Sequence, residues 1–131
     1  MYKRQALDLV PPTSRAYGLA RQKRAQVLAQ HGADFTQLGL ALRSVEGVPM
    51  EPADKAALEV SVFERALAKL TQEPSLANPG VMLPGAVPAT TAGIRTGLET
   101  AYRKWAQATP DPALRIELVD KANTVRPWTI R

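Results

Sequence analysis

The chain has 131 residues, no cysteine, one histidine and a formal net charge of +5. The lack of cysteine excludes disulfides, thiolate metal sites and a cysteine nucleophile, and it suits the reducing cytoplasm. No stretch of the sequence approaches the roughly 20 consecutive apolar residues that a membrane-spanning helix needs. The cations are concentrated towards both ends and only 5% of residues are aromatic, which disfavours nucleic-acid binding. A chain of this length is expected to form one soluble domain, residues 1–131.

Two similar six-residue segments punctuate the N-terminal part of the chain. Residues 6–11 and 44–49 each contain a small residue, a branched apolar residue and an acid, followed by Val-Pro. A helical pattern begins a few positions after each segment, which is typical of stacked helix hairpins. Because the first copy has almost nothing in front of it, we expect the chain to begin in the last turns of an earlier helix, whose uncovered apolar residues would favour self-association.

The first predicted helix has a cap at Thr13 or Ser14 and runs to about His31, with Gly32 as its stop. A lone histidine at such a position is interpreted as a helix-terminal residue rather than a metal ligand. At 100° per residue, one broad apolar arc is expected to face the core. Its members are Ala16, Tyr17, Ala20, Val27 and Leu28.

The second and third helices are predicted from their starts and their apolar spacing. Asp34 to Gln37 form a capping box for the second helix, and Glu51-Pro52 begins the third. The third helix is apolar along two opposite lines, so we expect it to lie between neighbouring helices. The lines are Ala56, Val60, Phe63, Leu67 and Leu70 on one side and Leu58, Val62 and Ala66 on the other.

Residues 72–89 interrupt the helical pattern with four prolines and two glycines. They predict a long irregular connection that is packed in part through its apolar residues. No segment of the chain shows sustained alternation of apolar and polar residues, so no strand is expected.

Two more helices complete the chain. Thr90 or Thr91 caps the fourth, whose apolar face includes Trp105, and Asp111-Pro112 opens the fifth. The predicted fold class is all-α: a tetratricopeptide-like α-hairpin solenoid of about five helices with one Pro/Gly-rich irregular connection.

Arg24 falls within the apolar arc of the first helix, where a cation needs a partner. One interpretation is a salt bridge to an acid on a neighbouring helix, such as Glu46 or Glu64. The other is that Arg21 and Arg24 line a groove that receives a carboxylate from a partner protein.

Three further residues near the C-terminus are functional candidates. Trp128, in a short Trp-Thr-Ile-Arg tail, either folds back on the last helices or docks on another subunit. Asp120 and Asn123 lie one turn apart but lack a third carboxylate for a divalent cation, and Asn123 is expected to bond a nearby backbone group. Arg21, Arg24 and Trp128 are therefore the candidate partner-binding residues, and no catalytic, cofactor-binding or metal residue is assigned.

Three ordered segments resemble the actinobacterial protein kinase G family. The run Leu-Asp-Leu-Val-Pro-Pro-Thr-Ser-Arg at 7–15 resembles the start of its last tetratricopeptide stretch. Gly-Ile-Arg-Thr-Gly-Leu-Glu at 93–99 is similar to the approach to its C-terminus, and Leu-Val-Asp-Lys-Ala-Asn-Thr-Val-Arg-Pro at 118–127 to the C-terminus itself. The resemblance implies the last part of a multidomain serine/threonine kinase with a rubredoxin-like module and a kinase core that binds ATP and Mg. It also implies that the whole enzyme phosphorylates forkhead-associated-domain regulators of 2-oxoglutarate and glutamate metabolism.

The kinase motifs themselves do not occur in this sequence, so we expect the chain itself not to be an enzyme and to need no cofactor. The leading hypothesis is a cytoplasmic, non-catalytic module for kinase support, dimerisation or substrate docking. Its partner would be the kinase domain, a second subunit or a peptide, and neither nucleic acid nor a membrane. The alternative is a free-standing adaptor whose groove binds an unrelated peptide.

Overall fold

A computed structural model describes residues 15–126, and most of them are helical. Within this range there are five α-helices, as predicted. They are α1 (Arg15–His31), α2 (Phe35–Arg43), α3 (Pro52–Gln72), α4 (Thr91–Gln107) and α5 (Pro112–Val125). None of the helices in this range is long and apolar enough to cross a membrane.

The predicted capping box of α2 is present. The Asp34 carboxylate accepts a hydrogen bond from the backbone N–H of Gln37 at 2.9 Å, and the Gln37 side chain accepts one from the N–H of Ala33 at 2.7 Å. The second bond reaches one residue further back than in the usual box, where the capping residue itself donates. Both bonds satisfy N–H groups that the helix cannot pair internally.

The predicted starts of α3, α4 and α5 are also confirmed. Pro52 is the first residue of α3, where its missing N–H costs nothing. The Thr90 hydroxyl accepts from the N–H of Gly93 at 3.0 Å, and the Asp111 carboxylate accepts from that of Ala113 at 3.2 Å.

Helix α3 is the centre of the fold and is buried on two sides, as its sequence predicts. It packs against α1 and α2 on one side and against α4 on the other, while α5 packs on α4. The α3 residues buried in these contacts are Ala56, Leu58, Val60, Val62, Phe63, Ala66 and Leu70.

The predicted inward face of α1 is wrong. Ala16, Ala20 and Val27 are exposed, and only Tyr17 and Leu28 at the edge of the arc are half-buried. The buried side lies roughly opposite and consists of small residues, namely Gly18, Ala25 and Ala29, and Gly32 directly after the helix is buried as well. Small residues let the α1 backbone approach its neighbours closely, and such packing leaves little trace in an apolar pattern.

The connection between α3 and α4 is ordered and contains two strands, so the expectation of an irregular segment without strands is wrong here. A short 3₁₀ turn, Pro74–Leu76, leads into β1 (Asn78–Leu83), which pairs antiparallel with β2 (Val87–Ala89). The register shifts within β1. The tight turn between them uses left-handed backbone at Gly85 and Ala86, with φ of 84° and 58°.

The second Val-Pro segment ends α2. Val45 and Val48 are buried, and Gly47 between them has a φ of 73°, a conformation that favours glycine. The first copy, with the predicted cap at Thr13 or Ser14, lies outside the described residues, as do Pro127 and Trp128.

Candidate functional site

A cleft lies between α3 and α4. Residues late in α4 contact residues early in α3, so the two helices run antiparallel, and the turn of the β-hairpin closes one end of the space between them. The volume of this space, the α3–α4 cleft, is about 360 Å³. Its open end continues into a second hollow of about 530 Å³ that shares Lys55, Glu59 and Lys104.

The floor of the α3–α4 cleft is apolar and depends on two glycines. A Cβ atom at Gly97 would lie 3.1 Å from Val87 of the hairpin and 3.4 Å from the ring of Phe63. A Cβ atom at Gly93 would lie 2.5 Å from the carbonyl oxygen of Pro88, a separation that real Cβ atoms do not reach. The two glycines therefore allow the hairpin to lie directly on α4.

The rim of the cleft is charged with both signs. Glu46 and Lys55 are exposed, and the Lys104 ammonium lies 3.6 Å from the Glu59 carboxylate across the opening between α4 and α3. Thr96 lines the cleft, and its hydroxyl donates a hydrogen bond to the carbonyl oxygen of Ala92 at 3.0 Å. An apolar floor with a mixed charged rim is suited to holding an apolar side chain of a peptide whose neighbours are polar.

The same two helices are also tied together by a buried tyrosine. The Tyr102 hydroxyl donates a hydrogen bond to the Glu64 carboxylate. Burial, together with this bond, raises the pKa of Tyr102 well above its usual range. The Tyr102 ring stacks on Trp105, with centroids 6.5 Å apart. Trp105, which was predicted on the apolar core-facing side of this helix, is half-buried and packs against the core.

Arg21 is half-buried and holds α1 against the end of α2. Its Nε donates to the carbonyl oxygen of Ser44 at 2.7 Å, and its guanidinium lies 5.3 Å from the centre of the Tyr17 ring. The half-buried arginine of α1 is thus Arg21 rather than Arg24, and it bonds a backbone carbonyl rather than an acid.

Arg24 is exposed and, within the described residues, makes no salt bridge to Glu46 or Glu64. Glu64 instead accepts from Tyr102. Neither Arg21 nor Arg24 lines the α3–α4 cleft. Their predicted role in partner binding stays a prediction, and Trp128, the third candidate, lies outside the described residues.

The remaining candidates have structural contacts. His31 is exposed and is the last residue of α1, in keeping with a helix-terminal role. The side chain of Asn123 accepts a hydrogen bond from the Arg103 guanidinium at 2.8 Å. The prediction that Asn123 bonds a nearby backbone group is therefore wrong. The backbone carbonyl of Asp120 accepts from the Thr124 hydroxyl at 2.9 Å.

Sequence reasoning missed the α3–α4 cleft because its boundary is formed by the β-hairpin. One signal was present: Gly93 and Gly97 are four residues apart in a helix that is otherwise rich in helix-forming residues. Glycine is unfavourable inside a helix, and two on one side of it indicate a close approach of another chain segment.

Comparison with known proteins agrees with this helical architecture. Residues 4–129 match the family model described as "Protein kinase G tetratricopeptide repeat". The serine/threonine-protein kinase PknG of Mycolicibacterium smegmatis is 32% identical over 129 residues, and that of Mycobacterium leprae is 33% identical over 125 residues.

The matched regions cover 95% and 92% of this chain but only 16% of each kinase. The similarity to these kinases therefore concerns one region of each. Since the family model spans nearly all of residues 1–131, the chain belongs to the protein kinase G tetratricopeptide repeat family.

Proposed function

We propose that this chain is a non-catalytic interaction module of a PknG-type serine/threonine kinase in the cytoplasm. In this proposal, its α3–α4 cleft docks a protein that the kinase phosphorylates. The observation that carries the proposal is the cleft itself, which combines an apolar floor at Phe63 and Val87 with a rim of both charges. The family to which the chain belongs supplies the link to a kinase.

The docked protein, in this proposal, is a forkhead-associated-domain regulator of 2-oxoglutarate and glutamate metabolism. An extended segment of such a protein would place one apolar side chain on the cleft floor. Its polar neighbours would then meet Lys55 and Lys104, or Glu46 and Glu59, on the rim.

A calorimetric titration of the 131-residue chain with a forkhead-associated-domain protein from the same genome tests this. Thr100 is exposed and lines the cleft, so Thr100→Trp fills the entrance and should weaken binding by about tenfold or more. Thr71→Trp is the matched control, because Thr71 is an exposed helical threonine outside the cleft. Equal binding by both variants would exclude the cleft, and no binding by the unmodified chain would exclude this partner.

The catalytic step belongs, in the same proposal, to a kinase core elsewhere in the parent protein. We expect no transfer of radiolabelled phosphate from ATP by this chain alone, and any transfer would contradict the non-catalytic role. The alternative of a free-standing adaptor is tested by the genomic reading frame upstream of Met1, which should encode a kinase core.

Self-association is a second candidate function, favoured by the outward face of α1. Leu19 and Val27 are 54% and 52% exposed on that face, beside Ala16 and Ala20. Two copies that pair these faces would bury apolar surface that a monomer leaves in water. Sedimentation equilibrium should show a dimer that the Leu19→Gln, Val27→Gln double variant abolishes, and a strict monomer at high concentration would exclude this role.

A further inference from the structure

Two arginines bond one acid where α4 packs on α5, and a third arginine lies one turn from that acid on α4. Arg95, Glu99 and Arg103 follow one another at intervals of four residues, so they share one side of α4. Arg103 donates to Oε2 of Glu99 through Nε at 3.1 Å and Nη2 at 2.8 Å, and Arg126 donates to the same oxygen through Nε at 3.2 Å. We call Arg95, Glu99, Arg103 and Arg126 the arginine cluster.

Two of the arginines are held in place by further bonds to α5. Nη2 of Arg103 also donates to the side chain of Asn123 at 2.8 Å. Arg95 donates to the carbonyl oxygens of Val125 and Thr124 at 3.0 and 3.4 Å, so it caps the end of α5. Side chains that are already fixed lose less conformational entropy when a ligand binds.

The arginine cluster has hydrogen-bond donors to spare. A guanidinium has five N–H donors. Within residues 15–126, Nη1 of Arg103 and both terminal nitrogens of Arg126 make no hydrogen bond. The Arg103 and Arg126 side chains are 37% and 53% exposed, so these donors are open to a partner.

The charges of the arginine cluster do not balance. The hydrogen bond from Arg103, with a smaller effect of Arg126, lowers the pKa of Glu99, so its carboxylate is ionised at neutral pH. Three guanidinium groups against one carboxylate leave two positive charges in excess.

We propose that the arginine cluster docks a phosphorylated serine or threonine segment of a partner protein. A phosphoryl group carries a charge of about −1.5 to −2 at pH 7, which matches the excess of the cluster. Its three oxygens accept from guanidinium groups in the paired geometry that arginine favours. A carboxylate has only one negative charge and two oxygens, so it would leave part of the positive excess unpaired.

The site is distinct from the α3–α4 cleft, since none of its four residues lines that cleft. Docking in the α3–α4 cleft and phosphate binding at the arginine cluster can therefore be tested separately, and one can be excluded without the other. A chain that binds the forkhead-associated-domain protein through the cleft can still lack this phosphate site, and the reverse also holds.

Fluorescence anisotropy with the full 131-residue chain tests the proposal. The probe is a labelled ten-residue Gly/Ala peptide with one central phosphothreonine, compared with the same peptide unphosphorylated and with three central glutamates. We expect binding of the phosphorylated peptide that is lost without the phosphate and is at least about fivefold weaker for the glutamate peptide.

Arg126→Gln should weaken binding of the phosphorylated peptide by about fivefold or more, since it removes unpaired donors. Lys121→Gln is the matched control: it removes one charge from α5, but Lys121 lies two residues from Asn123 and so on nearly the opposite side of the helix. Thr100→Trp should leave this binding unchanged.

Three outcomes would overturn the proposal: no binding of the phosphorylated peptide, equal binding of the glutamate peptide, or equal weakening by Arg126→Gln and Lys121→Gln. Circular dichroism shows whether the Arg126→Gln variant is folded. If that variant unfolds, Arg126→Lys keeps the charge but loses the forked geometry, and it must still bind more weakly than Lys121→Gln.

Discussion

The two helical pairs that flank α3 are joined to the rest of the fold by different contacts. The pair α1–α2 includes a side of α1 that buries Ala25, Ala29 and one glycine and leaves Leu19 and Val27 in solvent. The pair α4–α5 buries large side chains from both of its helices, namely Ile94, Leu98, Tyr102 and Leu118, whereas in the first pair the buried leucines, Leu38 and Leu42, come from α2 alone. Arginine bonds occur in both pairs, from Arg21 in the first and from Arg95, Arg103 and Arg115 in the second. Within the first pair, α1 is thus placed by close backbone approach and by the Arg21 bond, whereas both helices of the second pair contribute large buried side chains.

This difference has a functional side. The α3–α4 cleft and the arginine cluster both use α4. Both proposed binding surfaces thus involve the pair in which each helix buries large side chains, while the outward face of α1 is the surface proposed for self-association.

The largest expected effect is a loss of stability on truncating the second pair. Leu118 is 1% exposed and lies between α5 and α4, so Leu118→Ala should lower the free energy of unfolding by about 3 kcal/mol through lost burial and a cavity. Urea denaturation measures this. Ile116→Ala on the same helix, at a residue 64% exposed, should change stability by less than about 0.5 kcal/mol.

The first pair should respond in the opposite way, by resisting added volume. Ala29 is 3% exposed in the close contact of α1 with its neighbours, so Ala29→Leu should cost about 2 kcal/mol through overpacking. Ala20→Leu, on the exposed side of α1, is the control in the same urea experiment. If both changes are neutral, the first pair is not closely packed and the contrast between the pairs fails.

A smaller effect is expected from the polar tie between α3 and α4. Tyr102→Phe removes the hydrogen bond to Glu64 and should cost about 1 kcal/mol at neutral pH. Because burial raises the pKa of Tyr102 above its usual value of 10.0, the stabilising contribution is present below pH 10.0 and is lost as the pH rises above it.

The check is a pair of stability curves up to pH 11 for the unmodified chain and Tyr102→Phe. Subtracting one free energy of unfolding from the other at each pH removes the contribution of the other tyrosines. The remaining difference should shrink as the pH rises above 10.0. A constant difference would mean that Tyr102 titrates like a tyrosine in water.

The smallest effect concerns Glu99. Glu99→Gln should cost about 0.5 kcal/mol at neutral pH, because its partners Arg103 and Arg126 are partly exposed to solvent. Since Arg103 lowers the pKa of Glu99 below its usual 4.5, the contribution is present above pH 4.5 and is lost as the pH falls through the lowered value. Thermal unfolding should therefore show a smaller difference between the two chains at pH 3 than at pH 7, and an equal difference at both would contradict the assignment.

Helix starts were predictable because their chemistry is local. Asp34, Thr90 and Asp111 each cap a helix through a backbone N–H two or three residues ahead. The two apolar lines of α3 were also predictable, since both consist of large apolar residues at helical spacing.

The inward face of α1 and the β-hairpin were not predictable from pattern. Glycine and alanine contribute little to an apolar arc, so the buried side of α1 was outweighed by Val27 and its neighbours on the exposed side. Strand β1 is exposed at five of its six residues, and a strand without a buried face has no alternation to detect. The cleft in turn depends on where that hairpin lies.

The glycine contacts beneath the hairpin determine how the cleft can widen. Because the hairpin leaves no room for a side chain at Gly93 and little at Gly97, we expect the hairpin and α4 to move together. A guest larger than the resting cleft should therefore displace α3, and we expect that movement to lengthen the hydrogen bond between Tyr102 and Glu64. Occupancy by a bulky guest would then be visible from outside the cleft, as a change in the ultraviolet absorption of a tyrosine that the guest never touches.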